Sequence, residues 1–534
     1  MRRSLKQLAI VLALGGCGPK ELNVEVQIVT SVCDSKVDPF TGVQFLRVRV
    51  SGDGLEVPLE SVAPSSERLI KVPKIPAGTN RVIDVRAFDK DPGAGGKALS
   101  VGRSLPFDVP DVLDPMAPPV AISVFLRKVN AFTPPSSAAA PKECQRMKLP
   151  RAGHSATLLK NGKVYIAGGF GHTQQVTSPP TRLALSETEL FNPATNMFET
   201  AREMAVANGQ QKLPKAFHTA TMLVSGQVLL WGGESYSGGT ANTVSPAAII
   251  LIYDPDENAY GVALARKPPE PAAIPRTKHK ALLDKNGKVL IVGGETRTAG
   301  LVPVDQVEWF DPATNDYKVV GGVALPRLGP ALALVKGGEL VAVAGGTDGS
   351  AMVNEVVYFK WEATGFKREM LAAPPRLASP GRRGAAAATL REGLDLVVLG
   401  GYSDPDPLKV TPVGSSEIVV TATSAVGAGP TVGGRGDSCA TQLPDGSLIA
   451  IGGLAVDIPG AKGRSDGSSV ILKSTGTGTA QAFSGPDLAV PRYLHTCTAL
   501  RDGSVLVLGG LNDQITSRDV LQDAWIYQPA PTDP

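Results

Sequence analysis

One short motif recurs seven times along this chain: a turn glycine, a run of apolar residues, then Gly-Gly. KNGKVYIAGGFG at 160–171 is the first copy, and VSGQVLLWGGES, KNGKVLIVGGET, KGGELVAVAGGTD, REGLDLVVLGGYS, PDGSLIAIGGLA and RDGSVLVLGGLN follow. The pairs begin at Gly168, Gly232, Gly293, Gly345, Gly400, Gly452 and Gly509, at spacings of 64, 61, 52, 55, 52 and 57. A repeat of this length is one supersecondary unit, and stacked copies bury a shared core. The turn residues (Asn-Gly, Ser-Gly, Gly-Gly, Asp-Gly) supply the positive φ of a tight hairpin. The run after the turn is almost wholly apolar, so both faces of that strand are covered.

Each copy reads as four strands. A first strand (HSATLL, HTATML, HTCTAL) precedes the turn and the apolar strand follows it. A third carries Asp/Asn-Pro turn chemistry (TELFNPATN, IYDPDEN, VEWFDPATN), and an outer fourth, such as MFETA, completes the sheet. Four strands per repeat make a propeller blade. Gly-Gly after a strand, at a period near fifty, resembles the kelch repeat, and the resemblance covers about residues 144–528. It implies a seven-bladed β-propeller, a fold that mostly binds proteins or glycans through loops on one face. Related propellers include enzymes, galactose oxidase and sialic-acid epimerases among them.

The N-terminus reads as a targeting segment. Arg2, Arg3 and Lys6 precede a short apolar core, and Leu14-Gly15-Gly16-Cys17 resembles a bacterial lipobox. That resemblance implies a signal peptide at 1–16, lipidation of Cys17, a tether at 17–21 and a place in the bacterial cell envelope. Gly18 in place of Asp favours the outer membrane, with the protein periplasmic or surface-exposed. Removing 1–16 brings 53 Lys+Arg level with 50 Asp+Glu, so overall charge favours neither nucleic acid nor an anionic membrane surface. The membrane partner is then the lipid anchor alone.

Residues 22–128 lack the repeat. Six or seven alternating strands (LNVEVQIV, VQFLRVRV and NRVIDVRAF among them) predict an immunoglobulin-like β-sandwich, with Val24, Val26, Ile28, Val48 and Val50 towards a core. A Pro/Ser/Ala linker is expected at 129–142. The last repeat stops after its third strand, DAWIYQP, so 143–149 is expected to supply the missing fourth strand. That closes a propeller at 143–530 and removes its exposed edges. The fold class is all-β, a sandwich followed by a seven-bladed kelch propeller.

Few residues suggest chemistry. His154, His218, His279 and His495 each lie fourteen residues before their Gly-Gly, so they serve the repeat, and His172 falls in a loop without a visible partner. One histidine per blade is no metal-ligand set. Cys33, Cys144, Cys439 and Cys497 allow three pairings. Cys33 with Cys144 would staple the sandwich to the propeller. Cys439 and Cys497 sit on adjacent first strands and are equally readable as a pair or as free thiols. Arg435-Gly436-Asp437 spells an adhesion tripeptide but occupies a repeat position. There is no phosphate loop and no Gly-x-Ser-x-Gly elbow. No catalytic residue, metal or cofactor is assigned.

Two features point to binding. A cation stands before every first strand: Arg151, Lys215, Arg276, Arg383, Arg435 and Arg492 seventeen residues ahead of Gly-Gly, and Arg327 eighteen. It either pairs inside its blade or forms a positive ring at the channel mouth. The loops after Gly-Gly are longest in blades one and two (170–186 and 234–247), and long surface loops carry function. The expected site lies there, with His172, Gln174, Tyr236 and Asn242 beside Arg151 and Lys215. The expected activity is non-catalytic binding of a protein or glycan, and the alternative is a carbohydrate-active enzyme. A copper oxidase would need a Tyr-Cys pair and two histidines meeting in the channel.

Overall fold

The computed structural model describes the chain apart from residues 1–23, 35–36, 67–74, 111–119, 173–181, 207–210, 238–242, 247–249, 263–272, 297–301, 407–408, 456–463, 514–518 and 533–534. The expected signal peptide at 1–16, Cys17, Gln174 and Asn242 therefore lie outside the described residues.

The repeats fold as seven four-stranded antiparallel sheets, each hydrogen-bonded in the order first, second, third, fourth. Blade one, for example, consists of Ser155–Leu158, Val164–Ala167, Thr188–Asn192 and Met197–Thr200. Every residue of the second strands Val164–Ala167, Val228–Trp231, Val289–Val292, Leu340–Ala344, Asp395–Leu399 and Val505–Leu508 is buried. The unbroken apolar runs have this cause, since each second strand is sandwiched between two neighbouring blades. Seven separate cores result, one per blade interface. Val164 and Ile166 of blade one pack with Leu506, Leu508 and Ile526 of blade seven, which closes the ring. The seven first strands touch in turn around the axis.

The closing strand is not the expected one. Ala131–Thr133 pairs antiparallel with Ala524–Gln528, as Ile526↔Thr133, Tyr527↔Phe132 and Gln528↔Ala131. The stretch 143–149 returns only to the start of that third strand, through an Arg146↔Asp523 bridge and a Met147 N–H bond to Gln522 O. The fourth strand of blade seven is thus interrupted by the excursion 134–145, and the expected linker contains its hydrogen-bonded part. Phe132 decides this register, because its ring is buried against Tyr527, 5.4 Å between centroids.

Ahead of the ring stand β1 (Val24–Thr30), β2 (Phe45–Ser51), β3 (Leu59–Pro64), β4 (Gly78–Phe88), β5 (Ala98–Arg103), β6 (Phe107–Val109) and β7 (Val120–Lys128). They pair as β1-β7-β5-β4-β2-β3, with β6 on β4 and β1 parallel to β7. Val26, Ile28, Val48, Val50, Val85 and Val124 share one core. The alternate residues of β2, Arg47 and Arg49, face the other way. This domain is fixed to the propeller by the Cys33–Cys144 disulfide. Arg127 also reaches across to Asp502 at 3.3 Å and to Asn196 at 3.1 Å. Cys439 and Cys497 pair between blades six and seven.

Candidate functional site

The Gly-Gly pair builds the channel mouth. In every blade the N–H of its second glycine donates to the carbonyl of the next blade's cation residue, at 2.8–2.9 Å: Gly169 to Lys215, Gly233 to Arg276, and so on round to Gly510 and Arg151. Both glycines have positive φ, for example 61° and 95° at Gly232 and Gly233. A Cβ on Gly232 would run into the Arg276 carbonyl and the His279 ring. The motif is therefore a blade-to-blade fastener as well as a bend.

The cations complete this fastener from within. Arg151, Lys215, Arg276, Arg435 and Arg492 each donate to the carbonyl of their own blade's first glycine, at 2.8–3.1 Å. In blade five the tie belongs to Arg382, not Arg383. One extra residue separates it from the first strand, as at Arg327. Carboxylates on the third strands meet the arginines: Glu189 with Arg151 and Glu308 with Arg276 at 2.6 Å, and Glu417 with Arg382. Arg151 and Lys215 are 0% and 1% exposed. The positive ring expected at the mouth is thus a ring of internal ties, because a guanidinium that satisfies two backbone carbonyls and a carboxylate has no reach left for a ligand. In blade two, Leu251 stands opposite Leu230, where blade one has Glu189 opposite Ile166. Burial lowers Lys215 there to about 7.

The four repeat histidines are buried between blades. Each Nε2 meets a hydroxyl or sulfur at the start of the preceding blade's first strand: Thr496 for His154 (3.1 Å), Ser155 for His218 (2.9 Å), Thr219 for His279 (2.9 Å) and Cys439 for His495 (3.1 Å). Burial is the main cause that pushes His218 and His495 down to about 3, and His154 and His279 well below the usual range. Among the described residues no group of three or more His, Cys, Asp or Glu is placed to hold a metal.

Residues with left-handed backbone encircle the mouth: Gly153, Phe217, Lys278, Gly329, Gly384, Asp437 and Leu494, with φ of 48–61°. Backbone bonds link them from blade to blade, as in Phe217 N–H to Gly153 O at 2.8 Å, and Asp437 N–H to Gly384 O at 3.1 Å. Among the described residues no such bond joins Lys278 to Gly329. The Tyr402 hydroxyl donates to Asp437 at 3.0 Å, and Arg383 lies 4.7 Å over the Tyr402 ring. Burial raises the Asp437 carboxyl. The adhesion tripeptide is absorbed here, with Arg435 2% exposed and Gly436 pressed under Tyr402. Tyr402, Asp437 and Phe217 escape a reading by repeat because their slots hold no constant residue: Gly, Phe, Lys, Asp or Leu stands at one, and Phe, Glu, Thr, Tyr or Leu at the other.

The long loops rise from this face as two-stranded ribbons. Phe170–His172 pairs with Arg182–Ala184 in blade one, and Glu234–Ser237 with Thr243–Pro246 in blade two. The strands Arg182–Ala184 and Glu234–Ser237 touch, so the ribbons stand side by side. His172 ends the first ribbon opposite Arg182, and Tyr236 sits in the second opposite Val244. Arg151 and Lys215 lie beneath, inside the blades.

No protein-family model matches the chain. Over 148 residues it is 30% identical to an F-box/kelch-repeat protein of Arabidopsis thaliana, a match covering 27% of this chain and 28% of that protein. These findings fit a kelch propeller. Among solved structures, a fungal alcohol oxidase of the AA5 family in complex with copper superposes with a TM-score of 0.54 at 15% identity, over 75% of this chain and 77% of its own. At that identity the propeller shares a fold with the oxidase and no more. YjhT aligns with a TM-score of 0.44 at 16% identity, over 63% of this chain and 99% of its own.

Proposed function

We propose that this kelch propeller is a non-catalytic binding protein that takes a protein or glycan on its mouth face, over the ribbons of blades one and two. One observation carries this reading: the two longest post-Gly-Gly loops form adjacent ribbons in contact, although neither is needed to complete a blade. The two loop sequences hold the polar residues His172, Gln174, Tyr236 and Asn242. The carbohydrate-active alternative finds less support in the residues. The four repeat histidines are occupied between blades, and the four cysteines beyond Cys17 are joined in two disulfides. Replacing residues 172–182 and 236–244 by Gly-Ser turns, which spares the buried Phe170 and Glu234, should leave the melting temperature unchanged and abolish binding on glycan arrays and in envelope pull-downs. Undiminished binding would move the site elsewhere.

The lipobox-like Leu14-Gly15-Gly16-Cys17 supports a lipoprotein of the bacterial envelope, held in the outer membrane by acyl chains on Cys17. The alternating strands, and the core shared by β1 to β4, β6 and β7, support an immunoglobulin-like sandwich acting as the spacer between anchor and propeller. Cys17→Ser should stop incorporation of radiolabelled palmitate, and label entering the variant would sink the anchor.

A further inference from the structure

Among the described residues, Lys280 is the one charged side chain on the seven innermost strands. It opens the first strand of blade three opposite Val292, one residue before the Gly-Gly, and so lies just inside the mouth. Its side chain is exposed, although its strand belongs to the inner ring. The innermost strands of blades two and seven are partly exposed along their whole length, while the second strands behind them are buried. Lys280 therefore faces water in the axial channel.

The repeat explains why this position is free for another use. The equivalent residues Ser155, Thr219, Cys439 and Thr496 each bond the histidine of the following blade. Blade four has Ala331 where that histidine would stand, so position 280 has no fastening to perform. The backbone ring also lacks its link here, between Lys278 and Gly329. Elsewhere the repeat answers a missing histidine with an apolar residue, Leu332 ahead of Ala386 and Ala387 ahead of Ser438. A lysine in this slot serves neither packing nor fastening. Lys278, two residues earlier, is paired with Glu295 at 2.8 Å. No carboxylate of the described residues contacts Lys280. The surrounding blades desolvate its ammonium, and Asp437 is the charge that opposes this effect. Low-dielectric walls around a narrow channel focus the field of such a cation.

We propose that Lys280 anchors an anion site inside the channel, one that takes a small monoanion, above all a carboxylate, entering from the mouth. Asp437 repels charge from the same end, which favours a monoanion over a dianion. This site does not depend on the ribbons, so it stands or falls apart from the binding reading above. The test uses the full chain with 13C-acetate as probe. Wild type should broaden the acetate resonance saturably, with phosphate competing more weakly than chloride. Lys280→Thr, which restores the residue of blade two, and Lys280→Met should both remove the broadening at an unchanged melting temperature. Lys278→Met should keep it. Asp437→Asn should tighten acetate by about three- to tenfold, the scale of one nearby charge in a partly desolvated site. No saturable broadening in wild type, the same broadening in a folded Lys280→Thr variant, or stronger competition by phosphate would overturn the assignment.

Discussion

Acidification from pH 7 to pH 5 is expected to loosen the ring through its histidines. His218 is held neutral by burial, with its pKa down to about 3, and so is His495. In the unfolded chain an imidazole titrates near 6.5. The folded pKa is the lower of the two, so the stabilising contribution is complete above about pH 6.5 and is lost as pH falls towards the folded value. At about 1.36 kcal/mol per pH unit, the step from 6.5 to 5 removes about 2 kcal/mol per histidine. His218 and His495 together then lose about 4 kcal/mol, and His154 and His279 add to it in the same direction. Folded domains hold only about 5–15 kcal/mol, so the loss is a large fraction. Glu308 and Asp437, both raised by burial, act the other way and offset part of it. Guanidinium unfolding followed by tryptophan fluorescence at pH 7, 6 and 5 reads the effect as a falling midpoint. His218→Gln keeps an amide within reach of the Ser155 hydroxyl and cannot titrate, so its stability should fall with a slope smaller by about one proton. A midpoint flat from pH 7 to 5, or an unchanged slope in His218→Gln, would refute the reasoning.

Three further outcomes are expected. Arg276→Met leaves Glu308 buried without its partner and should cost about 3–5 kcal/mol, while Arg276→Met with Glu308→Leu should recover most of it, as denaturant midpoints would show. Blade two already lives with Leu251 at the equivalent place. Phe132→Ala should cost about 3–5 kcal/mol by emptying the core under the closing strand. Deleting 131–133 should expose the edge of Ala524–Gln528 and promote aggregation, read by light scattering.

The sequence alone determined the blade: its number, its turn positions and the strand that would be buried on both sides. Those are local matters, decided by turn glycines and by a run too apolar to face water. Even the histidines were legible as servants of the repeat, because each lies fourteen residues before its Gly-Gly. Partner choice was not legible, because it is settled across the ring. Ala131–Thr133 closes the propeller from inside a Pro/Ser/Ala-rich stretch, and only the Phe132–Tyr527 contact reveals it. A cation before each strand reads the same whether it faces solvent or its own blade, and burial of Arg151 against Glu189 decides between them. Arg382 replaces Arg383 because a one-residue shift changes which side chain reaches the glycine carbonyl. Lys280 was in plain view in the text. Its freedom became visible only once the neighbouring blade was seen to offer Ala331, a residue 51 positions further along the chain and beside it only in the folded ring.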